Sequence, residues 1–212
     1  MEMPASERPL TATSATANKV LDVNFRTVPT NLSGDAQQAI ARLRGTEFAR
    51  IEDGQFNPTK PNEYFFVTTQ SDSDGVGYPG VKEGSRDGGA LWKLTFANVA
   101  KPELGAKLEI ILNGTEAPYN DASVKIWKPD NIALTADGKY ALLQEDPGAV
   151  DRVSRLLALR LSDKKLVSVA TFDPKYFDPS KGANKFITND EETSGIIDAT
   201  SLLAAGDVTP TS

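Results

Sequence analysis

From residue 47 onward the chain alternates between short apolar runs and clusters of Pro, Asn, Asp and Gly. The runs at 47–53, 63–69, 90–96 and 107–114 predict four strands, and those at 131–135, 139–145, 154–161 and 165–172 predict four more. Short β-runs at regular intervals, joined by turn residues, are the pattern of an all-β sandwich, barrel or propeller. Only one segment has helical texture, SGDAQQAIARLRG at 33–45. Ser33 suits the N-cap, Asp35 the first turn, Arg42 and Arg44 the last, and Gly45 the exit, which predicts a short helix near 35–44. Its packing face would be Ala36, Ile40 and Leu43.

The strand pattern repeats. IEDGQFNPTKPNEYFFVTT and PDNIALTADGKYALLQED share the order acid, strand, polar turn, strand, and Glu52 and Asp130 stand 78 residues apart. A propeller blade usually takes roughly 40–50 residues. The insertion at 70–89, QSDSDGVGYPGVKEGSRDGG, accounts for the excess. A third start occurs at 189–203, where Glu192 lies 62 residues beyond Asp130. Repeated units of four strands favour β-propeller blades, each a four-stranded antiparallel sheet, over a sandwich. Propellers close with about four to eight blades, so the expectation is an incomplete propeller. On this reading residues 1–30 form a flexible tail and 31–212 a partial propeller, with units at about 47–114 and 126–173 and the beginning of a third at 189–203.

Composition narrows the chemistry. The chain has 212 residues, 39% of them hydrophobic and 25% charged, as in ordinary globular proteins. A net charge of −6 is not the footprint of a nucleic-acid binder, and no apolar run reaches the length of a membrane span. With no Cys and no His, thiolate nucleophiles, zinc-thiolate sites and imidazole bases are all excluded from this chain. Carboxylates, Lys, Arg, Tyr, hydroxyls or a hard metal must carry any reaction. There is no nucleophile elbow, Walker loop or dinucleotide fingerprint, and SDSDGVG fails the ligand spacing of an EF-hand.

The carboxylates have a pattern of their own. Asp130 and Glu145 bracket one hairpin at the same end of its two strands, where like charges repel unless a cation stands between them. Glu52 and Asp53, Asp130, Glu145 and Asp146, and Asp190, Glu191 and Glu192 recur at equivalent places in the repeat. In a propeller they would gather at one mouth, and oxygen ligands without His or Cys suit Ca²⁺ or Mg²⁺. Taken singly, an acid beside a turn more often caps backbone N–H groups.

RIEDGQF, GALWKLTF, the PDN…DGKYALLQED hairpin and NDEETSGIIDA together resemble the C-terminal half of the PhoX-type alkaline phosphatases, secreted bacterial β-propeller enzymes, over residues 45–203. The resemblance implies a calcium- and iron-dependent phosphomonoesterase acting on a phosphate monoester, in an extracellular or periplasmic setting. MEMPASERPLTATSATANK, however, lacks the basic-then-apolar order of a secretory signal. Arg50-Ile51-Glu52-Asp53 matches the family's Arg-Pro-Glu-Asp motif with Ile for Pro, which implies Glu52 as a metal ligand, Asp53 beside it, and Arg50 as the phosphate contact. Glu145 and Asp146 match calcium ligands, and Glu191 and Glu192 match an acidic stretch. This chain brings no cysteine, so the family's iron centre with its cysteine ligand cannot form from it. The implied enzyme then needs the other half of the propeller as its partner. The alternatives are a non-catalytic, calcium-stabilised propeller segment with a structural or assembly role, and metal-free blades that bind protein through open sheet edges.

Overall fold

A computed structural model describes residues 20–46, 48, 50–69, 89–114, 118, 126–146, 153–178 and 185–199. Residues 1–19, positions 47 and 49 of the first predicted strand, 70–88 of the insertion and 200–203 of the predicted third unit lie outside the described residues. The chain runs β1 (Val20–Val23), α1 (Gly34–Arg44), β2 (Ile51–Asn57), β3 (Lys60–Thr68), β4 (Ala90–Phe96), a 3₁₀ turn (Pro102–Leu104) and β5 (Ala106–Asn113). It continues through β6 (Pro129–Leu134), β7 (Tyr140–Glu145), β8 (Arg155–Arg160), β9 (Lys165–Thr171) and a single helical turn, α2 (Pro174–Phe177).

These strands make two antiparallel sheets, β1-β5-β4-β3-β2 and β6-β7-β8-β9. Apart from β1, every strand pairs with its neighbour in sequence, so each predicted unit is one meander. No closed sheet occurs among the described residues. The meanders pack face to face, and their backbones approach most closely where β2 and β3 meet β6.

The two-residue period of a strand explains why the first sheet is apolar on both faces. Along β3, Phe65 and Val67 point into a core shared with Ile132, Leu143, Leu157 and Leu159 of the second sheet. Tyr64 and Phe66 point the other way, toward Trp92, Leu108 and Ile110. A bulge opposite Leu91 and Trp92 in β5 lets both Ile111 and Leu112 join the shared core. On the far face Phe48 packs edge-on against Phe66 and Trp92, at ring-centre distances of 5.4 and 5.2 Å.

Four sequence expectations need correction. Val20–Val23, inside the stretch read as a flexible tail, is the strand β1, paired with β5 from Val20 opposite Glu109 to Val23 opposite Ala106. The first meander strand begins at Ile51 and runs to Asn57, later than predicted. The helix and its Ser33 cap form where expected, with Ser33 Oγ accepting from the Ala36 N–H at 3.4 Å, but α1 buries no residue and Leu43 is 63% exposed. The helix therefore draws little stability from packing. In the predicted third unit, residues 189–199 form no regular element.

One turn position is dictated by space. Gly89 enters β4 at φ +64°, and a Cβ there would stand 2.3 Å from Pro129 Cδ and 2.6 Å from the Thr68 carbonyl oxygen. It holds the two meanders against each other at the end where β6 begins. Gly89→Ala should cost about 2 kcal/mol or more, read from the midpoint of urea unfolding. An unchanged midpoint would show that this junction yields freely.

Candidate acidic site at the strand ends

The two meanders are built alike at one end. Arg50 and Lys128, each just ahead of a first strand, both adopt left-handed backbone, at φ +54° and +47°. Non-glycine residues rarely do so. The turn aims each carbonyl at the far end of the following hairpin: Arg50 O accepts from the Thr69 N–H at 3.1 Å, and Lys128 O from the Asp146 N–H at 3.0 Å. Next in each strand comes a break in pairing, between Ile51 and Gly54 in β2 and between Pro129 and Asn131 in β6. Glu52 and Asp53 occupy the first break and Asp130 the second. Bulges of this kind re-aim side chains and recur beside functional sites.

Asp130 is the centre of the group. Its carboxyl is pushed up to about 6, first by burial and then by the charges of Glu52, Glu192 and Asp146, with Arg50 pulling the other way. Asn131 Nδ2 donates to Asp130 Oδ2 at 2.9 Å. Arg50 pairs with Glu52 at 3.4 Å while remaining half exposed. Four of the residues singled out from the sequence (Arg50, Glu52, Asp146 and Glu192) thus bear on a fifth, Asp130.

The other three do not join them and have separate partners. Asp53 Oδ1 accepts from the Gly54 N–H at 2.7 Å, and its Oδ2 accepts from the Ile132 N–H of the second sheet at 3.2 Å. Glu145 is fully buried, and the cation that answers it is Arg155: Nη2 reaches Oε1 at 2.8 Å and Nε reaches Oε2 at 3.0 Å. Glu145 Oε1 also accepts from the Trp127 N–H at 2.8 Å. Glu191 is 4% exposed, and its Oε1 accepts from the Ser154 N–H at 2.6 Å while Oε2 has no hydrogen-bond partner. Ser154 Oγ donates in turn to the Glu145 carbonyl. Asp190, also noted in the sequence, is exposed.

Sequence reasoning missed Lys128 and Arg155. Extending the 78-residue offset by two positions matches Lys128 to Arg50 and would have found the first. Arg155 was legible only as the leading charge of a strand. Its role depends on the pairing of β7 with β8, which sets Leu156 opposite Gln144 and so brings Arg155 beside Glu145.

Among the described residues, no three carboxylates stand close enough to hold a metal ion as they are. No helix of the described residues is long and apolar enough to cross a membrane, which leaves strands untested. Comparisons with protein-family models, curated proteins and solved structures find no match to this chain.

The geometry makes two predictions. A carboxyl raised above its unfolded value binds its proton more tightly in the folded state, so its charge opposes folding above pH 6, and the opposition fades as pH falls toward 4. Without added divalent cation, Asp130→Asn should therefore melt higher than the parent at pH 7.5, with the gap closing by pH 4. A gap of zero at both values would mean that the acids around Asp130 are not coupled to it. Arg155→Leu strands Glu145 in the core and should cost about 3–5 kcal/mol by denaturant unfolding. Combining it with Glu145→Gln should recover part of that loss.

Proposed function

We propose that this chain supplies two blades of a β-propeller whose acidic mouth, centred on Asp130, takes a hard divalent cation in the manner of the PhoX-type phosphatases. The observation that carries the reading is the structural repeat: left-handed Arg50 and Lys128, each followed by a break in pairing that carries an acid. Sheets that approach closest at their first strands fit neighbouring blades around an axis. Two packed meanders alone are equally the content of a sandwich.

The charges of Glu52, Asp146 and Glu192 raise the Asp130 carboxyl, and the four side chains offer the oxygen donors that Ca²⁺ prefers. Small side-chain rotations would have to bring them to ligating distance. When bound, such a cation neutralises phosphate charge and lowers the pKa of a bound water. The forked guanidinium of Arg50, half exposed beside Glu52, suits contact with phosphate oxygens. The donor set does not fit the family's iron centre, because this chain has no cysteine or histidine to complete it.

A second reading, a calcium-stabilised segment without catalysis, is favoured by one fact. Asp53, Glu145 and Glu191, part of the same acid pattern, hold backbone amides and Arg155.

Calcium should raise the melting temperature, by roughly 2.7 kcal/mol of stability at a hundredfold excess over Kd, and Glu52→Gln should reduce the gain. Melting that is the same in calcium and in EDTA would defeat the cation site. With calcium at alkaline pH, the chain alone should leave p-nitrophenyl phosphate intact, and a complementing propeller half added in trans should restore hydrolysis. Arg50→Ala should then lower that turnover about a hundredfold. A calcium response with no turnover in either arrangement would select the second reading.

A further inference from the structure

Each meander closes on a fourth strand, β5 in the first sheet and β9 in the second, and the two strands are built alike. Each carries one extra residue against its neighbour. Leu91 and Trp92 face Leu112 and Ile110, skipping Ile111, while Leu156 and Leu157 face Ala170 and Ser168, skipping Val169. Counting back from the two bulges sets Glu109 level with Val167, Leu108 with Leu166, and Lys107 with Lys165. The match extends to packing, since Leu108 and Leu166 are both buried.

The two strands differ in what lies beyond them. β1 covers β5, and it does so over the run ahead of the bulge. Val20 stands opposite Glu109, Leu21 opposite Leu108, Asp22 opposite Lys107, and Val23 opposite Ala106. Asp22 Oδ1 meets Lys107 Nζ at 2.8 Å, and Leu21 and Val23 pack on the cluster of Trp92 and Leu108. Among the described residues no strand covers β9, which ends its sheet. Every residue of β9 but Leu166 is exposed, Val167 at 46%. The Lys165 ammonium, unlike that of Lys107, has no carboxylate partner among the described residues. One strand is thus present for two matching edges, and an apolar edge left open is a template for pairing with another chain.

We infer that the open edge of β9 takes an extended segment of another protein, antiparallel, that runs apolar, apolar, acid, apolar in the manner of Val20–Val23. Its acid stands opposite Lys165, its second apolar residue opposite Leu166 at the rim of the shared core, and its first opposite Val167. In strand addition the backbone bonds supply affinity and the side-chain pairs select the segment. Val167 takes the place that Glu109 has in β5, so an apolar residue is better matched here than Val20 is on the first sheet. A second copy of the chain has no strand to spare, because its β1 is already paired with its own β5. The inference is independent of the acidic end and needs no metal.

The test is titration of the full chain, followed by amide NMR, with a synthetic peptide of residues 18–25, NKVLDVNF, standing in for the segment. Binding should saturate with shifts centred on residues 165–168, and the outward amides of that run should exchange more slowly. A peptide carrying Asp22→Lys should bind about fivefold more weakly. In the chain, Lys165→Glu should weaken the unaltered peptide by a similar factor and should restore binding of the Asp22→Lys peptide. Lys165 is exposed, so this variant leaves the core intact. Absence of binding, shifts centred on β5, or charge reversal without rescue would each overturn the proposal. Slow exchange across 165–168 before any peptide is added would also overturn it, since the chain would then cover its own edge.

Discussion

β6 is an edge strand, and an edge strand has backbone N–H groups with no neighbouring strand to accept them. Here β2 supplies acceptors from its side chains. Asp53 Oδ2 takes the Ile132 N–H at 3.2 Å, and Gln55 Oε1 takes the Leu134 N–H at 2.6 Å. Both donors belong to residues that face the shared core, so the bonds fix the depth and angle at which the second meander seats on the first. Phe65, Val67, Ile132 and Leu143 can then interdigitate. The same device recurs one step along, where Asn131 Oδ1 accepts from the Gly195 N–H at 3.4 Å and Asp198 Oδ2 accepts from the Ala136 N–H at 3.3 Å. Residues 195–198 thus lie beside β6 much as β6 lies beside β2.

This arrangement divides the acids by function. Carboxylates with a ready donor are spent on the scaffold: Asp53 on an amide of the other sheet, Glu145 on Arg155, and Glu191 on Ser154. Glu145 sits at the dry end of a hairpin, and a bidentate guanidinium with a backbone amide satisfies it there without an ion from solution. Asp130 sits at a break in the ladder, where the neighbours that bear on it most are other acids. There Asp130 accepts from Asn131 Nδ2 and Glu52 is answered by Arg50.

Most of the strand framework was legible because burial on a sheet imposes a two-residue period, and runs such as EYFFVTT and ALWKLTF satisfy it on both faces. The helix was legible through its caps, Ser33 and Gly45, which act locally. β1 was not, because VLDV carries no period longer than itself, and its strand character comes from pairing with β5, more than eighty residues away. The exposure of Leu43 has the same origin: spacing predicts that a face will be apolar but says nothing about whether another element covers it. At the site, the 78-residue repeat brought out Glu52 and Asp130 together. Which acids would meet Arg155 or a backbone amide instead depended on cross-strand register, which the linear pattern does not contain.

The left-handed turns at Arg50 and Lys128 fix where the two cations ahead of the acids stand. A non-glycine residue held at positive φ is a standing cost, and the two meanders bear it at matching places although their loops differ in length. Each turn is tied by one backbone bond to the far end of its own hairpin, from the Thr69 N–H to the Arg50 carbonyl and from the Asp146 N–H to the Lys128 carbonyl. Losing either bond would free the turn, and with it the backbone pose of the cation that precedes the acid.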